Sequence, residues 1–317
     1  MKKILIVPYP ALGDVTICIR LAQALTNSGY RVTLFSDILQ SSQKNFIWLD
    51  VQCFPNDFEA SFECFDICLL DISSPWIQKR LQQFPSKYTG VFFFTAKDFP
   101  EHLVVQEKEV EEASRPAGII NRPFCLDPSS GQHMIDWVDH YAKEMFGVIA
   151  CRQRPSVTFF RPSNDEGHIV IFPTTPNEKK NFSSSGFYKL TKRLSGLGMK
   201  VEIVGMPHEK ESLEEKFEGF NVRTFSDISQ LIEYLRGALV VISNDSGGGH
   251  LAAMLGVPTI TITRKNKDFV WRPGYDLGNV VTPDVVFKVG GGHIWRPFVS
   301  LNKIKKIVQG IRLNSKL

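Results

Sequence analysis

No apolar run in this chain approaches the ~18 residues that a membrane-spanning helix needs. The opening Met1-Lys2-Lys3-Ile4-Leu5-Ile6-Val7-Pro8 starts a strand and lacks the apolar core of a secretory signal. Six cysteines occur, with no CxxC pair and no zinc-ligand spacing, which argues against a zinc module or a disulfide framework. The thiols are therefore expected to be reduced and mostly buried, with Cys64 and Cys68 on one face of a strand-like run, in a cytoplasmic protein. There is no short-period repeat and no low-complexity tract. Also missing is the G-x-G-x-x-G dinucleotide fingerprint, for which Pro8–Asp14, after the first strand, would be the expected place. The formal net charge of +4 is mild and by itself argues neither way about nucleic acid, and no nucleic-acid partner is expected.

What is present is an ordinary globular composition, 43% hydrophobic and 22% charged, in 317 residues, which favours two domains. Short apolar runs (Ile4–Val7, Arg31–Phe35, Phe65–Ile72, Gly90–Phe94) alternate with helical spacing over Leu12–Leu25, Pro75–Gln83 and Met134–Met145. The pattern breaks at 151–167, rich in proline and charge, and restarts at His168. Strands are expected at His168–Phe172, Lys200–Val204, Asn221–Thr224, Leu239–Ser243 and Pro258–Thr263, and helices at Ser185–Leu197, Glu209–Phe217, Ile228–Arg236 and Gly249–Leu255. This is an α/β chain with parallel sheets. It divides into a Rossmann-like domain over 1–150, a linker over 151–167, a second such domain over 168–300 and a terminal helix over 301–317 that could pack back on the first domain.

Chemistry concentrates at strand ends. Asn244-Asp245-Ser246-Gly247-Gly248-Gly249-His250 stands between an apolar strand and an apolar helix, so a glycine-rich turn there would aim backbone N–H groups at a phosphate. A bland reading makes Asp245 a helix cap and His250 a buried hydrogen-bonded residue. Asp14, beside Gly13 at the end of the first strand, is either a first-turn acid or a carboxylate facing the ligand crevice. Thr174, Thr175 and Lys180 offer hydroxyls and an ammonium suited to a diphosphate. Glu209 follows another strand, where a carboxylate could accept hydrogen bonds from ribose hydroxyls. Gly290-Gly291-Gly292-His293 and Trp295 suggest no role.

Together these segments resemble glycosyltransferase family 9, the ADP-heptose:lipopolysaccharide heptosyltransferases. Leu12-Gly13-Asp14 resembles the family's L-G-D motif, and Thr174-Thr175 with Lys180-x-Phe182 its T-[TS]…K-x-W-P motif. Asp245-Ser246-Gly247-x-x-His250-Leu251-Ala252-Ala253 with Gly256-x-Pro258 is similar to its D-[ST]-G-x-x-H-[LI]-A-A…G-x-P signature. Trp271-x-Pro273 and Gly131-Gln132-His133 fall where it carries W-x-P and an inter-domain histidine stretch. Phe182, Ser183 and Arg264-Lys265 replace its usual tryptophan, proline and phenylalanine–glycine pair.

The resemblance implies a GT-B architecture, two Rossmann-like domains with parallel sheets facing a central cleft. It implies inverting, metal-independent transfer of a heptose from an ADP-heptose donor to a glycan acceptor, a lipopolysaccharide core, with no cofactor besides the donor. Asp14 would be the base, with Lys180 neutralising the leaving diphosphate. Thr174, Thr175, Glu209, Asp245, Ser246, Gly247, Gly248 and His250 would hold the donor, and Gly13 and His133 the acceptor. Lys79, Arg80, Lys87, Arg115 and Arg122 could give an anionic acceptor, at the inner membrane face, a basic surface. Alternatives are a protein, capsule, O-antigen or small-molecule acceptor, a non-catalytic nucleotide-sugar-binding subunit, or an epimerase.

Overall fold

The computed structural model describes residues 1–80, 90–94, 133–149, 154–155, 157, 167–264 and 278–315, the side chains of 59 and 80 excepted. The chain divides into two compact units, Met1–Thr158 and Phe159–Leu317. Most of 151–167 lies outside the described residues, as do Cys125, Cys151, Gly131, Gln132, Lys265, Trp271, Pro273, Lys87, Arg115, Arg122 and the Arg80 side chain.

The first unit is a five-stranded parallel sheet in the order β3-β2-β1-β4-β5, from β1 (Lys3–Val7), β2 (Arg31–Phe35), β3 (Asp50–Gln52), β4 (Ile67–Asp71) and β5 (Val91–Phe94). Its central strands are apolar almost without interruption because both faces of the sheet are covered. Helix α1 (Leu12–Asn27) follows β1, and Gly29 closes its end at φ 89°, a left-handed turn that favours glycine. The short helices α2 (Phe58–Ser61) and α3 (Pro75–Arg80) come next, and α4 (Met134–Phe146) lies against α1. Arg20, fully buried on α1, grips Asp139 of α4 bidentately at 2.8 Å through Nε and Nη2.

The second unit holds six parallel strands in the order β11-β10-β9-β6-β7-β8, from β6 (His168–Phe172), β7 (Val201–Gly205), β8 (Asn221–Thr224), β9 (Ala238–Ser243), β10 (Thr259–Ile262) and β11 (Gly278–Val281). Counted within the unit, that order is the doubly wound one, and the connection reverses direction between β6 and β9. Helices α5 (Ser184–Ser195), α6 (Lys210–Lys216), α7 (Ile228–Leu235) and α8 (Gly247–Met254) follow successive strands. A two-stranded antiparallel hairpin, β12 (Phe287–Val289) and β13 (Gly292–Ile294), precedes the last helix. That helix, α9 (Leu301–Asn314), sets Ile304 and Val308 into this unit's core beside Leu190, Leu194 and Trp295.

Two expectations are corrected. Of the described cysteines Cys18 and Cys68 are buried, but Cys53 and Cys64 are exposed. Cys64 closes a 3-10 turn (Phe62–Cys64) before β4, so it does not share a strand face with Cys68. Residues 247–249 are not a turn either. They form the first turn of α8, and Ser246 rather than Asp245 caps it.

Glu202 is buried near the amino end of β7. Burial pushes its carboxyl upward, but hydrogen bonds from Tyr234, Arg223, Asn221 and Lys200 outweigh burial and hold it down at about 2. A depressed carboxylate stabilises the fold above its unfolded value and loses that contribution as pH falls toward the folded one. Stability of the wild type should therefore decline between about pH 4.5 and 2, and Glu202→Gln should flatten that decline in acid-titrated urea melts. Arg20→Ala leaves Asp139 without its partner in a largely buried site. It should lower the unfolding free energy by about 3 kcal/mol, read from the denaturant midpoint.

Candidate functional site

The carboxyl ends of β6 and β9, where the connection reverses, carry most of the singled-out residues of the second unit. Doubly wound sheets bind ligands in the crevice at such a point. Asn244, directly after β9, is fully buried and ties the two strand ends together. Its Oδ1 accepts the Phe182 N–H at 2.8 Å, and its Nδ2 donates to the Pro173 carbonyl at 2.8 Å. The loop between β6 and α5 is thus fixed at both of its ends to the residue before Asp245.

Asp245 is only 15% exposed, with the Lys180 Nζ 3.1 Å from its Oδ2 and the His250 Nε2 3.8 Å from its Oδ1. Burial alone would raise its carboxyl. His250 first, then Lys180, outweigh burial and keep it below the ordinary carboxylate range. The Asp245 side chain is therefore an anion between two basic groups. Lys180 reaches it from a 3-10 turn (Glu178–Lys180), and half of that lysine side chain faces solvent.

Ser246 caps α8, its Oγ accepting the Gly249 N–H at 3.3 Å. By helix geometry the Gly247 and Gly248 amides have no intrahelical acceptor, so two donors remain for a ligand rather than the longer run a glycine turn would give. Gly248 also has a packing reason. A Cβ there would lie 2.8 Å from the Phe172 ring.

The two threonines have different partners. Thr174 Oγ1 donates to Glu209 Oε2 at 3.1 Å, and the same oxygen accepts the Met206 N–H at 2.8 Å. This places Glu209, after β7, beside the β6 loop. Thr175 Oγ1 donates to Asn181 Oδ1 at 2.6 Å, and Asn181 Nδ2 returns a bond to the Thr175 carbonyl at 3.2 Å. That pair closes the loop that presents Lys180.

Arg296 supports the same loop from a distant part of the chain. Its Nε donates to the Asn181 carbonyl at 2.6 Å, and its Nη2 to the carbonyls of Glu178 and Lys179 at 3.1 and 3.4 Å. Neighbouring Trp295 is buried, its ring centroid 6.3 Å from that of Phe182. The sequence reading named Asn244 within its motif but gave neither it nor Arg296 a role. The one available signal was Asn244 itself, a polar residue just past a largely apolar strand.

The first unit holds the rest. Gly13 and Asp14 are the second and third residues of α1, with Ala11 as the cap, so Asp14 is a first-turn acid at the carboxyl end of β1. Asp71 ends the adjacent β4, buried, its Oδ1 accepting the Ser73 N–H at 2.8 Å and hydroxyl at 2.6 Å. The buried Cys18 thiol is raised by desolvation, then by Asp71 and Asp14, so both carboxylates act on one point of this unit. His133 caps α4, where Asp136 accepts its backbone N–H at 3.2 Å. Of the basic residues considered for an acceptor surface, Lys79 is exposed.

Sequence and structure comparisons identify what the chain is similar to. A model of glycosyltransferase family 9 (heptosyltransferase) matches residues 120–282. Lipopolysaccharide heptosyltransferase 1 of Escherichia coli K12 is 29% identical over 105 residues, 32% of this chain and 33% of that protein. The matched stretch thus spans a third of that relative's length. The E. coli heptosyltransferase WaaC with ADP superposes with a TM-score of 0.69 at 15% identity, covering 98% of this chain and 99% of that one. The E. coli ADP-heptose lps heptosyltransferase II does so at 0.70 and 14%, over 100% of both chains. At such identities the superpositions establish the fold, an α/β chain of two Rossmann-like units.

Asn244→Ala should lower the unfolding free energy by about 2 kcal/mol, since it leaves a buried N–H and carbonyl unpaired. Hydrogen exchange at Phe182 should accelerate with it, and unchanged exchange there would show that the bridge does not hold the loop. With residues 120–282 matching its family model, the chain belongs to glycosyltransferase family 9.

Proposed function

We propose that the protein is an inverting glycosyltransferase that moves a heptose from an ADP-heptose donor to a hydroxyl of a glycan acceptor. The observation that carries this reading is the Lys180–Asp245–His250 group beside the capped start of α8, at the reversal point of the second sheet. A nucleoside diphosphate needs positive charge where its leaving oxygens develop negative charge. Lys180 supplies a mobile ammonium, and the Gly247 and Gly248 amides supply oriented dipoles at a helix start. The protein's own cations fill the role that a metal plays in other transferases, which makes the proposed transfer metal-independent. Glu209, held by Thr174 and Met206, would accept hydrogen bonds from ribose hydroxyls. Asp245 positions Lys180 and His250 for the donor.

Inversion requires one base to take the proton from the acceptor hydroxyl as the anomeric carbon acquires oxocarbenium character. Asp14 is our choice, because it stands at the strand end of the other unit, in the family's L-G-D position. The family match and the ADP named with the superposed WaaC structure support the donor class. A lipopolysaccharide core intermediate is the proposed acceptor, presented at the inner face of the cytoplasmic membrane to a cytoplasmic enzyme. Among the described residues no helix is long and apolar enough to cross a membrane, and the membrane contact we propose is peripheral.

The test combines binding and turnover. ADP should raise the melting temperature more than UDP or GDP at equal concentration, and Lys180→Ala should weaken that response. Asp14→Ala should leave ADP binding unchanged and lower kcat by about a hundredfold or more with ADP-heptose and a core acceptor. Full turnover by the variant would remove Asp14 from the mechanism, and indifference to every adenine nucleotide would remove the donor assignment.

A further inference from the structure

A cavity of about 730 Å³ opens in the second unit, where the start of α5, strand β13 and the start of α9 meet. Neither Lys180, Asp245, His250 nor Thr174 lines it, so it is distinct from the proposed donor site. Its walls carry Lys189, Arg193, Arg296 and His293, and no aspartate or glutamate. Among the described residues no carboxylate pairs with the three permanent cations. Arg193 donates to the neutral Asn302 side chain at 3.1 Å, and Arg296 to backbone carbonyls. The sequence supports this imbalance, for residues 285–317 contain no acidic residue at all. Like charges gathered around a cavity without a counterion repel one another, and a bound anion relieves that repulsion.

The remaining polar groups suit the same ligand. Ser183 and Ser300, the caps of α5 and α9, both line the cavity, and these helices run for 12 and 14 residues. Their first turns add partial positive charge and amide donors to the side-chain cations. Arginine forks, a lysine and amide donors around one space match the tetrahedral oxygens of a phosphate better than a planar carboxylate.

We propose that the cavity formed by Lys189, Arg193, His293 and Arg296 is a binding site for a phosphate-bearing anion, separate from the nucleotide-sugar site. The phosphate is carried either by a soluble ester or by a lipid headgroup.

Inorganic phosphate is the first probe, added to the whole chain at constant ionic strength made up with chloride. The melting temperature should rise with phosphate, and Lys189→Ala/Arg193→Ala should need about tenfold more phosphate for the same rise. Both side chains lie on exposed helix positions, so the variant should fold. Lys180→Ala should keep the part of the response that depends on Lys189 and Arg193. A response lost in Lys180→Ala but kept in the double variant would place the phosphate in the donor site and overturn the proposal. Co-sedimentation with vesicles of neutral lipid doped with phosphatidylglycerol separates the two sources. Vesicle binding that the double variant abolishes and free phosphate competes away assigns a headgroup. A phosphate response without vesicle binding assigns a soluble ester. No effect of the double substitution in either arm overturns the site.

Discussion

The second unit's chemistry depends on one buried amide. Asn244 stands where the sheet reverses its winding, and its side chain uses both ends at once, accepting from Phe182 and donating to Pro173. A parallel sheet brings β6 and β9 side by side through long crossovers, but strand pairing stops at Phe172 and Ser243. Beyond that point nothing in the ladder dictates where the loops go. Asn244 extends the register past the strands. Thr174 leaves from one bonded carbonyl, Lys180 arrives two residues before one bonded amide, and Asp245 is the next residue along. An apolar residue at this position would strand a buried N–H and a buried carbonyl together, so the bridge is strongly specified.

That fixed frame explains the balance of charge around Asp245. The carboxylate is mostly buried, whereas its lysine partner is half exposed. Exposed ion pairs contribute little to stability, so Lys180 would give up little in turning its ammonium toward a diphosphate in the proposed reaction. The carboxylate keeps His250 nearby and stays ionised. Arg296 limits what can move, because it holds the carbonyls of residues 178, 179 and 181 and leaves freedom to the side chain rather than the backbone. A half-exposed cation on a loop tied by hydrogen bonds suits the proposed role of binding, neutralising and releasing a leaving group.

The fold was legible because doubly covered strands must be apolar nearly throughout, and Ile4–Val7, Ile169–Phe172 and Leu239–Ile242 are. Short or polar elements gave no such signal. Strand β3 has three residues, and the β12–β13 hairpin is exposed on every residue. At the site, residues whose chemistry lies within one short motif could be read directly, as with Asp245 to His250. Asn244 and Arg296 could not, since their partners lie 62 to 71 and 115 to 118 residues away. The glycines misled for another reason. Glycine suggests a turn, but Gly248 is small because a helix start packs on Phe172, and Ser246 supplies a cap strong enough to begin a helix on three glycines.

The two departures from the family's central motif follow from the same local packing. Ser183, in place of proline, caps α5 by accepting the Gly186 N–H at 3.1 Å, so the helix still starts at a defined residue. Phe182, in place of tryptophan, is buried against Phe187 and Trp295. Gly186 makes room for it, since a Cβ there would fall 2.3 Å from the Phe182 ring. The smaller ring and the hydroxyl therefore form a matched set beneath the loop. The Phe182 backbone N–H still meets Asn244. Backbone position at this point is set by hydrogen bonds, and side-chain identity by the packing beneath. The motif can thus change two of its residues and still deliver Lys180 to Asp245 at 3.1 Å.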